Sequence, residues 1–125
     1  MKKLFVLLLA LGLLLCLCGC AQAPKATLIL TCYDYNIVQE LTPEESKEVS
    51  RIFNSMWMGD LFSVPSCGFG PDVAIRVGGK TYMIAKDSCS GVQKGKLYYY
   101  ISDRDMDYIH SLFEKYSGQP WGGYN

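Results

Sequence analysis

The chain has a single histidine, His110, among 125 residues. It has no H-E-x-x-H, no phosphate-binding loop, no G-x-G-x-x-G and no recognisable Ser-His-Asp set. Those absences exclude the common zinc-hydrolase, nucleotide and dinucleotide chemistries. No enzyme activity and no cofactor is therefore expected. Charge is lacking as an excess of either sign: 12 Lys and Arg face 12 Asp and Glu. No basic run gives nucleic acid an electrostatic foothold. Long apolar runs are lacking too, with one exception. Leu4 to Leu15 is apolar throughout, is too short for a relaxed membrane span, and has no counterpart downstream.

That one run has a context. Met1-Lys2-Lys3 precedes it as a basic segment, and Leu17-Cys18-Gly19-Cys20 closes it. Cys16 and Cys18 each follow leucine, too large for the residue before a signal-peptidase cut, whereas Cys20 follows Gly19. The alternative cut after Ala21-Gln22-Ala23 is opposed by Pro24 just beyond it. Residues 1–19 are read as a lipoprotein signal peptide and Cys20 as the lipidated residue. Two or more acyl chains on Cys20 would anchor the protein stably, where one would not. The expected address is the extracytoplasmic side of the cell membrane. Removing residues 1–19 leaves 106 residues, one domain by size, with 10 basic and 12 acidic side chains.

Three cysteines then remain: Cys32, Cys67 and Cys89. Two β-rich runs, 73–77 and 80–85, flank Gly78-Gly79, a two-residue hairpin turn. In that register Cys67 and Cys89 fall one step from direct opposition, so a disulfide between them would staple the open end of the hairpin. A metal held by the two thiols is disfavoured, because no ligand-type histidine lies near. Cys32 shares a strand face with Leu28 and Leu30 and reads as a core thiol.

Residues 20–25 form a lipidated tether, 26–117 an α+β domain and 118–125 a tail. Strand signals cover 26–33, the two hairpin arms and 96–101. Thr42, Pro43 and Glu45 open a helix as N-cap, first residue and capping-box acid. Its apolar positions Val49, Ile52, Phe53 and Met56 carry it to Gly59. Ser102 and Asp105 open a second helix whose stripe is Met106, Ile109, Leu112, Phe113 and Tyr116. Residues 60–71 are expected as a loop tucking Leu61, Phe62 and Val64 onto the core, and 88–95 as a polar loop. The expected order is β-α-β-β-β-α, an antiparallel sheet with two helices on one face. The two strand-to-helix junctions align at an offset of 60 residues. Either an old duplication or the common form of such junctions accounts for that.

With the helices covering Val73, Ile75, Val77, Tyr82 and Ile84, the opposite face is free. It carries Arg76, Thr81, Met83 and Ala85 from the hairpin and Tyr98 and Tyr100 from the last strand. Tyr and Met bury much area at low entropic cost, so Arg76, Met83, Tyr98 and Tyr100 form the candidate binding patch. High strand propensity of aromatics is the competing explanation. Asp103, Asp105, Asp107 and Glu114 mimic calcium-loop spacing, but Tyr108 stands where the turn needs Gly, so no metal is expected.

One pattern spans residues 41–116: Cys67-Gly68-Phe69, Asp72-Val73, Gly78-Gly79-Lys80-Thr81-Tyr82, Asp87-Ser88-Cys89, then Tyr99-Tyr100-Ile101-Ser102 and a helix to Tyr116. It resembles a recurrent pattern in small uncharacterised lipoproteins of Gram-positive, gut-type bacteria. The resemblance implies fold and address only. The expected function is a membrane-anchored, non-catalytic binding or accessory module, its partner an envelope protein or a glycan. An inhibitor or immunity-type protein acting on an envelope enzyme is the alternative.

Overall fold

The computed structural model describes residues 1–18, 24–61 and 63–122. Three helices and seven strands follow in the order α1 (Lys2–Cys18), β1 (Ala26–Leu30), β2 (Ile37–Glu40), α2 (Pro43–Ser55), β3 (Trp57–Met58), β4 (Val73–Val77), β5 (Lys80–Ile84), β6 (Gly91–Lys94), β7 (Leu97–Tyr100) and α3 (Asp103–Ser117). The α+β class and the antiparallel sheet stand as expected. The expected β-α-β-β-β-α order does not, because no element is expected at the residues of β2, the expected helix extends over β3, and β6 falls in an expected loop. β6 was hidden by its composition: Gly91-Val92-Gln93-Lys94 has one strongly apolar residue, and it pairs through its neighbours. Trp57 and Met58 leave the helix because Met56 is already extended. They then pair with Tyr100 and Tyr99.

The strands form one sheet in the order β2-β1-β4-β5-β6-β7-β3, every pairing antiparallel. The β4–β5 register is the expected one, Ile75 opposite Tyr82 and Arg76 opposite Thr81. Gly78 and Gly79 both have positive φ, 56° and 80°, as a turn matching the strand twist requires. One face carries Leu28, Leu30, Val73, Ile75, Tyr82, Ile84 and Val92, all buried. α2 and α3 cover it with Val49, Ile52, Phe53, Met106, Ile109, Leu112 and Phe113, in a single apolar cluster. Phe53 stacks on Tyr82 at 4.1 Å between ring centroids.

The helix starts follow the capping logic. Thr42 Oγ1 accepts from the Glu45 N–H and Glu45 Oε2 accepts from the Thr42 N–H, at 3.2 and 3.0 Å. Ser102 Oγ accepts from the Asp105 N–H at 3.2 Å. The Asp105 carboxylate does not complete a second box but takes Arg51 of α2 at 2.8 Å. At the other end Lys115 and Tyr116 of α3 reach Glu45. The helices therefore run antiparallel and are clasped at both ends. β2 with α2 and β7 with α3 begin 60 residues apart at strand and helix alike.

Ser46 is buried and its Oγ accepts from the Ala26 N–H at 3.2 Å, tying α2 to the start of β1. The described part of the tail, 118–122, folds back. Trp121 stacks on His110 at 4.0 Å, meets Phe113 edge-on, and donates its backbone N–H to Glu114. α1 leaves Leu4, Phe5, Val6 and Leu7 exposed. No helix among the described residues is long and apolar enough to cross a membrane.

Candidate functional site

The face away from the helices is built from the alternate residues of the same strands. Strand pairing draws Val38, Ile29, Ala74, Met83, Gln93 and Tyr98 into one row across six strands. Glu40, Thr27, Arg76 and Thr81 form the next row on one side, and Gly91, Tyr100 and Trp57 the next on the other. The four residues of the candidate patch thus share a face. They do not converge, since Met83 and Tyr98 are two strands apart, about 10 Å, and Arg76 and Tyr100 lie in different rows.

Nor is the face free of cover along its length. The segment between β3 and β4 crosses one end of it. Phe69 meets Tyr98 with ring centroids 5.5 Å apart. A Cβ on Gly91 would come within 3.1 Å of the Phe69 ring, so glycine there leaves the aromatic room against the sheet. Ala85, expected on the open face, is fully buried. Tyr100 is half-buried, its ring against Gly59, where an added Cβ would sit 2.7 Å away. The open remainder is Arg76, exposed, with Thr81, Met83, Gln93, Ile29 and Val38 around it.

Three contacts hold the covering segment. Cys67 and Cys89 stand at disulfide distance, Cα to Cα 6.3 Å. The Lys86 N–H donates to the Gly68 carbonyl at 2.9 Å. Lys86 Nζ pairs with Asp72 Oδ2 at 2.8 Å, and that ammonium holds the Asp72 carboxyl below its ordinary range. Asp87 Oδ1 accepts from the Cys89 N–H at 2.9 Å and lies close enough to both sulfurs to join them as a ligand cluster. Two sulfurs bonded to one another have no thiolate to offer a metal, so the donor set fits a disulfide better than an ion.

The groups that could do nucleophilic or acid–base work are badly placed for it. Cys32 is buried in the core cluster, and burial, then the charge of Asp72, pushes its thiol pKa up. A catalytic thiolate needs the opposite. His110 lies under the Trp121 ring, and burial lowers its pKa despite Asp107 and Glu114 nearby. Asp103 and Asp105 sit at the start of α3 on Ser90 and Arg51. Cys20, the expected lipid site, lies outside the described residues.

Sequence reasoning missed the apolar cluster at one edge. Trp57, Met58, Leu61 and Val64 are 55, 49, 67 and 78% exposed, and Leu97 is 39% exposed beside them. Leu61, Phe62 and Val64 are expected from sequence to tuck onto the core; Phe62 lies outside the described residues, and Leu61 and Val64 do not tuck in. They cannot, because β3 takes the edge of the sheet and the loop after it leads outward. Leu61, Val64, Lys96, Leu97 and Tyr98 line a shallow hollow there of about 240 Å³.

No protein-family model matches the chain, and neither does any curated protein or solved structure.

Proposed function

We propose that the protein is a lipid-anchored extracytoplasmic module that binds rather than catalyses, held to the membrane through Cys20. The observation that carries this is a division of the chain. Among the described residues the core cluster draws its side chains from 26–121, while α1 contributes none and leaves Leu4, Leu7, Leu8, Leu9, Leu11 and Leu13 exposed. An apolar segment that the fold does not use, ended by Leu17-Cys18-Gly19-Cys20, has the form of a processed leader. The likeness to small lipoproteins supports the same reading. The buried Cys32 thiol and the covered His110 favour binding over catalysis. The open part of the sheet around Arg76 and Met83 is the proposed contact surface, with Tyr98 as its margin. An envelope protein or a glycan is the class of partner proposed. Inhibition of an envelope enzyme is the second reading, since a disulfide-tied segment beside an exposed edge suits insertion into a partner's cleft.

Replacing Cys20 by Ala should release the protein into the medium or leave it as an uncleaved precursor, read by fractionation and mass. Mature-sized Cys20→Ala protein that still sediments with membranes would refute the anchor. Capture of envelope proteins on the full lipidated chain separates the two readings of function. A hydrolase as principal partner favours inhibition, and a transporter or glycan favours an accessory role.

A further inference from the structure

The sheet has two ends, and the residues at one of them differ in character from those at the other. β1 enters beside the β4–β5 turn: Ala26 pairs with Val77, and the Gly78 N–H reaches the Lys25 carbonyl. The Gly95-Lys96 turn between β6 and β7 lies at the same end, because Tyr82 pairs with Lys94 and Lys94 with Leu97. β3 runs toward this end as well, and the Gly59 N–H donates to the Tyr98 carbonyl at 3.0 Å. Pairing alone therefore gathers four things at one end: the point where the chain arrives from its N-terminal segment, two hairpin turns, and the loop with exposed Leu61 and Val64. Lys25, Lys80, Lys94 and Lys96 are here, against Glu40 and Asp60. Lys25 pairs with Glu40 at 3.4 Å, both side chains largely exposed.

We propose that this end of the domain lies on the bilayer, with Leu61, Val64 and Leu97 entering the headgroup region and the exposed Lys80 and Lys96 meeting anionic lipid. The inference rests on the anchoring reading, and covalent length turns it into geometry. Ala26 lies six chain steps beyond Cys20. Fully extended they reach about 20 Å, less than the width of a small domain. A lipid at Cys20 thus keeps the Ala26 end of the sheet near the membrane, whatever else turns. Exposed aliphatic side chains on a loop tip, flanked by lysines, are the composition that interfacial binding uses. The occupant is a lipid surface rather than a protein groove, because the only partner that the tether brings within reach by necessity is the membrane itself. Of the row on the open face, Tyr98 then lies at the membrane margin, since it lines the hollow with Leu61, Val64 and Leu97.

The test uses the full lipidated chain in vesicles of phosphatidylglycerol and phosphatidylcholine carrying brominated acyl chains. Trp57→Phe and Trp121→Phe remove the native reporters. Val64→Trp then reports this end of the sheet, and Tyr33→Trp in a parallel protein reports the opposite end, where Tyr33 is 66% exposed. The expected result is blue-shifted, quenched emission from position 64 and unquenched emission from position 33. Leu61→Asp with Leu97→Asp should restore the emission while the protein stays in the membrane fraction. Equal quenching at both positions, or none, in protein that remains membrane-bound would overturn the proposal and leave the anchor intact. Should the chain wash off the membrane without lipid, the anchoring reading fails. The Val64→Trp protein mixed with the same vesicles then decides the second question: quenching upholds the surface, and its absence removes it.

Discussion

Glu45 is a charged side chain in the wrong place by composition and the right one by geometry. It is only 8% exposed, yet it accepts from Thr42, Lys115 and Tyr116. Burial alone would raise its pKa. The donors from Lys115, Tyr116 and Thr42 outweigh that and bring it from an ordinary 4.5 to about 2. A carboxylate depressed in the folded state stabilises above its unfolded pKa and loses that contribution as pH falls through its folded one. The acid limb belonging to Glu45 should therefore run from about pH 5 down to about pH 2. Glu45→Gln should cost about 2 kcal/mol at neutral pH, the worth of hydrogen bonds to a charged group. The cost should shrink toward pH 3, measured by urea unfolding at both. An equal loss at the two pH values would mean that shape, not charge, is what α2 and α3 share there. The capping role of Glu45 was legible from Thr42 and Pro43. Its second role was not, because Lys115 and Tyr116 lie 70 and 71 residues away.

Among the elements, those with strong local signals were legible and those made by neighbours were not. Both helices announced their starts through Thr42 and Ser102, and Gly78-Gly79 fixed the register of β4 and β5. The Cys67–Cys89 pairing followed from that register. β2, β3 and β6 have polar or short sequences whose strand form comes from the strands they pair with, β1 for β2, β7 for β3, and β5 and β7 for β6, which no local window contains. The candidate patch was half legible for the same reason. Strand alternation placed Arg76, Met83, Tyr98 and Tyr100 on one face, but Phe69 and Gly59 take up part of the two tyrosines. Tyr98→Thr with Tyr100→Thr should accordingly lower stability by about 1–3 kcal/mol, the loss of partly buried aromatic packing. Ile75→Ala on the helix-covered face should cost about 2–5 kcal/mol. Arg76→Ala and Met83→Ala should stay within about 0.5 kcal/mol, as open-face changes do. Their effect should appear in partner capture instead. A thermal or chemical denaturation series that ranked Met83→Ala beside Ile75→Ala would mean that the open face is closed.

At the scale of the molecule, β4 to β7 form a continuous meander in which each strand pairs with the next in sequence. β1 is different. It sits between β2 and β4, and its pairing with β4 must wait for α2, β3 and the long loop to be made. Loop closure of that span costs entropy before any contact repays it, whereas two of the three connections of the meander are two-residue turns and the third spans residues 85–90. The topology predicts that the meander forms first, that the α2 and α3 stripes collapse on it, and that the β1–β2 hairpin docks last as the missing edge of a nearly finished sheet. Pulse-labelled hydrogen exchange during refolding should find amides of Ile75, Tyr82 and Val92 protected before those of Leu28 and Ile29. If the chain is exported N-terminus first, as proposed, that sequence is the reverse of emergence. β1 can meet β2 soon after both emerge, but its other edge stays open until β4 has followed, and through that interval this edge is the one that an export chaperone would have to shield.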